Sequence, residues 1–451
     1  MTNGLHLVTH AIPVPRRPVA SRRRALGRRA ATLLGLGAIA LLPTACGAAS
    51  PPSASSRVAA SPAPRVAPLP PQSIALGETR PLGADLGGQP LPAADAVWLA
   101  MIDAAQRHLD IAQFYIANRP NSRMEAVIAA VERAARRGVT VRVLVDATFA
   151  TKYPATLARL KTQSHIAVRT FDVAAHMGGV LHAKFFVVDR SVVWLGSQNF
   201  DWRSLAHIHE LGVRFNLPAV VAPLQATFDA DWAVAGQVAA PRPPTLTPPQ
   251  APRFSAGLWR GQPVEVAAVG SPAGLLPDGM AWELPALVSW IDGATKRVSV
   301  QLLSMHRKAR DKSDFPALFD ALIRAAKRGV AVSVLVAHWS KSSHSAKELS
   351  TLQQVPGLTV KFVTIPQHPD GFIPFARVIH SKYMVVDGER VWLGTSNWSK
   401  GYFHTSRNVG VLVRGASFAA ALEAVFGGLW RGPYAETLVV GKTYPRQRVA
   451  R

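Results

Sequence analysis

Apolar positions change period along the first half of the chain, from helical to extended and back. A helix around Ala94–His108 is predicted to feed a strand over Leu109–Ile116. A second helix, Met124–Arg137, stops at Gly138, a residue free to turn left-handed, and feeds a strand at Val139–Val145. Both strands are near-continuous apolar runs rich in β-branched residues, the pattern of a sheet covered by helices on both faces. The pattern then recurs. Ile102-Asp-Ala-Ala-Gln-Arg-His-Leu-Asp-Ile-Ala-Gln is echoed 189 positions later from Ile291, and Arg133-Ala-Ala-Arg-Arg-Gly-Val-Thr-Val 191 positions later from Arg324. Each half reads helix, strand, helix, strand, short helix, strand, hairpin, which argues a duplicated α/β sandwich.

Proline punctuates this pattern twice. Residues 47 to about 73 are Ala, Pro and Ser with little periodicity, an extended tether, and Pro241 to Pro252 interrupt the middle as a linker. The expected division is therefore a signal at 1–46, the tether at 47–73, domains at 74–240 and 258–447, and a linker at 241–257. Within the signal, seven Arg precede the apolar run Ala30–Leu42, which is too short to cross a bilayer as a helix. Pro43-Thr-Ala-Cys46 follows, and Cys46 is the sole cysteine. Small residues before it resemble a bacterial lipobox, with Pro43 where Leu is usual, and Ser21-Arg-Arg-Arg-Ala-Leu26 resembles a twin-arginine export signal. The expectation is an exported lipoprotein anchored through Cys46 on the periplasmic or cell-surface side, with a cleaved, secreted form as the alternative.

Charge adds a class of partner. The net charge is +24, and +17 remains outside the first 46 residues, which hold no acidic side chain. Such a surplus points to a polyanion, whether a phospholipid membrane surface, nucleic acid or polyphosphate, with a general surface excess as the alternative.

One motif occurs twice. The first copy is His182-Ala-Lys184-Phe-Phe-Val-Val-Asp189, then, after six residues, Gly196-Ser197-Gln-Asn199. The second is His380-Ser-Lys382-Tyr-Met-Val-Val-Asp387, then Gly394-Thr395-Ser-Asn397 at the same spacing. Two copies at matching places in a repeat make a specific signal. Alternate residues of a strand share a face, so His and Lys project together. A two-residue loop at Arg190-Ser191 would set Lys184 opposite Ser197 and His182 opposite Asn199; Gly388-Glu389 would do the same for Lys382 with Thr395 and His380 with Asn397. Asp189 and Asp387 lie roughly 23 Å along the strand from their histidines and are read as hairpin residues.

The chemistry of this set is phosphodiester cleavage. Lys and Asn donate to the non-bridging oxygens, with Ser197 and Thr395 as supporting phosphate contacts. A neutral His attacks phosphorus, and a protonated His supplies the leaving oxygen with its proton. Glu210 follows the first copy, where the second holds Asn408 or nearby Thr405. Glu210 is the expected orienter of His182, which makes His182 the nucleophile and His380 the acid and base. His207-x-His209-Glu210 has a metal-ligating look without a fourth ligand, and no metal or cofactor is expected. Trp202 and Trp398 are candidates for base stacking, a lipid cleft or core packing. The offset grows by seven residues between Val336 and His380, so the second half carries an insertion there, and Lys341, His344 and Lys347, taken as part of it, are a candidate basic rim or a solvated loop.

The paired motif resembles that of the phospholipase D superfamily over about residues 90–435. Asp110-Ile-Ala-Gln-Phe-Tyr115, Gly196-Ser-Gln-Asn-Phe-Asp-Trp-Arg-Ser-Leu205 and Gly394-Thr-Ser-Asn-Trp-Ser-Lys-Gly-Tyr-Phe403 resemble the vertebrate endolysosomal branch, to which poxvirus envelope phospholipases are related. The resemblance implies two like α/β/α sandwich halves packed pseudo-symmetrically around one site, so that a monomer suffices. It also implies a phosphohistidine intermediate and either hydrolysis or transfer of phospholipid phosphodiesters or, as the alternative, extracytoplasmic 5′ exonuclease action on single strands.

Overall fold

The computed structural model describes residues 73–236, 250–309, 311–445 and 447–450. The signal, Cys46, nearly all of the tether and residues 237–249 lie outside them. Leaving aside the shortest elements, the first half comprises β1 (Ser73–Thr79), α1 (Ala94–Asp103), β2 (His108–Gln113), α2 (Arg123–Arg136), β3 (Thr140–Asp146), α3 (Pro154–Lys161), β4 (Ile166–Phe171), β5 (Phe185–Val188), β6 (Val192–Gly196), β7 (Glu210–Phe215) and α4 (Pro218–Ala235). The second comprises β8 (Ser255–Trp259), β9 (Gln262–Ser271), α5 (Glu283–Asp292), β10 (Arg297–Leu302), α6 (Ala317–Lys327), β11 (Ala331–Ala337), α7 (Ser343–Gln353), β12 (Leu358–Val363), β13 (Tyr383–Val386), β14 (Arg390–Gly394), β15 (Asn408–Arg414), α8 (Ala416–Arg431) and β16 (Ala435–Thr437).

Local sequence explains these elements. Ser122 caps α2 by accepting from the Glu125 N–H, the helix buries Met124, Val127, Ile128 and Val131 on one face, and Gly138 (φ +91°) ends it. Strand order in the first half is β4-β3-β2-β5-β6-β7-β1. The second repeats it as β12-β11-β10-β13-β14-β15-β9. Strand β8 pairs parallel with β1 and antiparallel with β9, joining the two sheets. Helices α1 and α2 cover the outer face of one sheet, and α5, α6 and α7 that of the other. Between the sheets, α4 and α8 bring Leu224, Phe228, Phe418 and Phe426 into one central core shared by both halves. The fold is the duplicated α/β sandwich.

Two expectations are corrected. In the first hairpin Val188 pairs with Val192, so Asp189, Arg190 and Ser191 all lie in the loop and Lys184 stands opposite Gly196, not Ser197. The cause is backbone: Asp189 (φ +49°) and Arg190 (φ +55°) are both left-handed and start the turn one residue early. The second hairpin does the same through Asp387 (φ +56°) and Gly388 (φ +71°), with Val386 against Arg390. The motif glycine answers to the neighbouring strand, since Gly196 pairs with Gly212 on β7 and a Cβ on it would fall 2.7 Å from Gly212 Cα. The insertion lies within the expected stretch between Val336 and His380, but not at the residues taken for its rim. Lys341, His344 and Lys347 belong to the turn and helix α7, the counterpart of α3. Ten residues separate β4 from His182 but sixteen separate β12 from His380, so most of the extra chain is segment 364–379.

Candidate active site

The two motif histidines are held by exchange between the halves. The backbone N–H of His182 donates to Arg407 O at 2.9 Å and that of His380 to His209 O at 2.8 Å, within short parallel bridges Leu181–Arg407 and His209–Ile379. The next residue along each bridging strand then meets the ring. Asn408 Oδ1 lies 3.1 Å from His182 Nδ1, and Glu210 Oε2 lies 2.8 Å from His380 Nδ1. Glu210 therefore orients His380, not His182 as its place after the first motif suggested. The physical reason is that β7 begins at the bridge to the opposite motif, so Glu210 is delivered across the interface.

Ser197 and Thr395 stand behind these orienting groups rather than toward the site. Thr395 Oγ1 donates to Asn408 Oδ1 at 2.9 Å, while the Ser197 hydroxyl bonds the Glu210 carboxylate and the backbone of Leu211. Ser204 adds a hydrogen bond to Glu210 Oε1 at 3.0 Å. Asn408 Nδ2 donates to Tyr402 O at 2.8 Å, which turns Oδ1 toward His182. His182 Nδ1 must then carry the hydrogen, leaving Nε2 with its lone pair. Lys184 Nζ donates to His182 O and Lys382 Nζ to His380 O, each lysine lying along its own histidine. Asn199 and Asn397 are almost fully buried, and neither Oδ1 has a hydrogen-bond partner among the described residues. The His182 ring is flanked edge-on by Phe114 at 5.2 Å and Tyr402 at 4.7 Å.

Burial sets the charge balance. It drives His182 well below the ordinary histidine range, with Lys184, Lys382 and His380 adding repulsion, and drives His380 down in the same way. Lys184 falls well below its ordinary value through burial and the nearby Lys382. Burial takes Lys382 to about 7, against the pull of Glu210, and lifts Glu210 to about 7 against the pull of Lys382. Among the described residues Glu210 is the one carboxylate set directly against these bases, and the negative charge of a phosphodiester would favour their protonated forms further.

The two motif Asp residues sit at the far ends of their strands. Asp189 accepts from the N–H groups of Gln106, Arg107 and His108 at 2.7–2.9 Å. Asp387 does the same for Lys296 and Arg297, at 2.8 and 3.0 Å, and pairs with Arg390. Trp398 is core, 1% exposed, whereas Trp202 is half-buried with Arg119 over its ring. Lys341 is buried against Glu436 and Thr364 and forms no free rim. Among the described residues no group of three His, Cys, Asp or Glu is arranged to hold a metal ion. His209 instead bonds Glu78 at 3.2 Å and Gln301 at 3.2 Å, deep behind the site. Sequence reasoning missed the link from Asn199 through Tyr115 to the buried Asp201–Arg203 pair; the run Asn199-Phe-Asp201-Trp-Arg203 carried the signal.

Known proteins repeat this architecture. The family model described as "Cardiolipin synthase, PLD-like domain" matches residues 98–232 and 287–430, one stretch in each half. The chain is 29% identical to phospholipase D Z of Dictyostelium discoideum, over 80% of this chain and 90% of that protein. It is 33% identical to the 5′-3′ exonuclease PLD3 of Bos taurus, over 77% of this chain and 76% of that protein. Phosphatidylserine synthase of Haemophilus influenzae superposes with a TM-score of 0.56 at 12% identity, covering 81% of this chain and 87% of that one, a likeness of fold. With both copies of the motif facing one interface inside a matching double domain, the chain belongs to the phospholipase D superfamily.

Proposed function

We propose that the chain is a phosphodiesterase that passes through a phosphohistidine on His182, with His380 as acid and then base. The observation that carries this division is the unequal pair of partners. Burial and the two lysines keep His182 neutral, and the Asn408 amide brings no charge to oppose them and leaves Nε2 free to attack, whereas a carboxylate, Glu210, favours a proton on His380. His182 Nε2 forms a bond to phosphorus as the P–O bond to the leaving group breaks, and that oxygen takes a proton from His380. His380 then removes a proton from water or an alcohol, whose oxygen displaces His182. Lys184, Lys382, Asn199 and Asn397 hold the non-bridging oxygens throughout.

For substrate we propose phospholipid phosphodiesters, in line with the basic surface and the lipoprotein-like signal, with Cys46 anchoring the exported, monomeric enzyme beside its membrane. A second reading, 5′ exonuclease action on single strands, is favoured by the aromatic rings next to Asn199 and by the similarity to 5′-3′ exonucleases. The test is to offer residues 74–451 a ³²P-labelled phosphodiester with a good leaving group and quench in alkali. Labelled wild type and His380→Ala, with label absent from His182→Ala, is the expected result. Label retained by His182→Ala reverses the two histidines. Phosphatidylglycerol vesicles and 5′-hydroxyl single-stranded DNA, offered in parallel, separate the substrate readings by which product appears.

A further inference from the structure

We propose that Tyr115, Tyr153 and Phe375 form a stacking subsite for the nucleobase next to the scissile phosphate, an inference that rests on the nuclease reading above. The three rings are organised around one buried ion pair. Arg203 holds Asp201 through two nitrogens, and both side chains are almost fully buried. Tyr115 donates its hydroxyl to Asp201 Oδ2 at 2.8 Å and accepts from Asn199 Nδ2 at 3.5 Å, so the rings begin one hydrogen bond from a phosphate-binding side chain. Tyr153 lies nearly parallel to Tyr115, with centroids 4.8 Å apart and planes inclined by 24°, and accepts from Arg203 Nη2 at 3.3 Å. The Arg203 guanidinium stands 5.8 Å from the Tyr153 ring and 6.0 Å from that of Phe375.

Phe375 is the least expected member. It is 46% exposed and left-handed, at φ +57°, within the extra segment 364–379 of the second half. Such a backbone is unfavourable for a bulky residue, and a ring this exposed gains little burial to offset it. The position is nevertheless pinned from both sides: Phe375 N donates to Val449 O at 2.8 Å and Arg203 Nη1 to Pro374 O at 3.4 Å. Strain held by that much surrounding structure points to use of the ring. The matching end of β10 reads Leu302-Leu303-Ser304 where the first half has Gln113-Phe-Tyr115, so this flank has no ring counterpart at that place. Parallel rings interleaved with a guanidinium suit the π face of a base, whatever its identity, better than an acyl chain, which gains from aliphatic walls.

The experiment compares two 5′-hydroxyl single-stranded oligodeoxynucleotides that differ only in an abasic tetrahydrofuran residue beside the scissile phosphate. Wild type is expected to cleave the base-containing strand about 5- to 100-fold faster in kcat/KM, the range for one stacked base. Tyr153→Ala and Phe375→Ala should bring that ratio close to one, and Phe375→Trp should keep it. Equal rates on both strands by wild type, or a ratio unmoved in the two Ala variants, overturns the subsite while leaving the nuclease reading intact. Release of nucleotide from neither strand by an enzyme that still forms the phosphoenzyme overturns the nuclease reading and the subsite with it. Loss of vesicle hydrolysis in the variants with an unchanged DNA ratio reassigns the rim to lipid and sinks the proposal.

Discussion

Asn408 and Glu210 occupy equivalent places in the two halves, yet one gives its histidine an amide and the other a carboxylate. In the proposed mechanism that difference favours the proton on His380 over His182. In Asn408→Asp, a carboxylate beside His182 stabilises its imidazolium and raises its pKa. Attack needs neutral His182, so the acid limb of kcat/KM should move to higher pH, with activity near pH 6 falling relative to that at pH 8. In Glu210→Gln, His380 loses the charge that favours its proton. The alkaline limb should then move to lower pH, and kcat should fall on the order of 10²–10⁴-fold, the usual weight of general acid–base catalysis. Stopped-assay pH profiles of the two variants distinguish these opposite displacements; identical profiles would mean the partners do not set the roles.

At the scale of elements, the hairpins decide where the motif residues face. Asp189→Ala removes the acceptor for three backbone N–H groups at the start of β2, so unfolding stability should drop by about 1–3 kcal/mol in a urea titration. The activity of the folded fraction should stay within about twofold, since a hairpin end does not touch the reacting atoms. A large loss of kcat at unchanged stability would instead put Asp189 in the chemistry. The strands, the helices and the Gly138 stop were legible because they rest on periodicity and on one residue's conformational freedom. The hairpin register was not. It turns on two successive left-handed residues, and Asp189-Arg190 advertises this far less plainly than Asn-Gly would. The stretch between Val336 and His380 was legible as longer, but not segment 364–379 within it, because a length difference over a long stretch does not say which of its loops has grown.

Across the whole molecule, burial keeps several histidines neutral, and acid should act through them. Burial in the second half, with Lys341 nearby, takes His338 to about 4. Below about pH 6.5 the unfolded chain binds a proton there that the folded chain refuses, so the His338 contribution to stability falls as pH drops from 6.5 to 4 and is flat above. His338→Gln lacks this loss. The stability gap between wild type and variant should therefore shift in the variant's favour by up to about 3 kcal/mol between pH 7 and pH 4, read from urea midpoints. A gap that does not change with pH would show that His338 titrates normally in the folded protein.

The sequence by itself determined the doubled α/β pattern and the inventory His182, Lys184, Asn199, His380, Lys382 and Asn397, because both are written in spacing, and spacing acts along the chain. It also singled out Glu210, set against Asn408 or nearby Thr405, as the point where the halves differ. Only the tertiary structure decided whom they serve. Glu210 reaches a histidine 170 positions away and Asn408 one 226 away, each carried there by a strand that bridges to the opposite half. No local period encodes such a pairing, since it arises from the way two sheets pack on one central core.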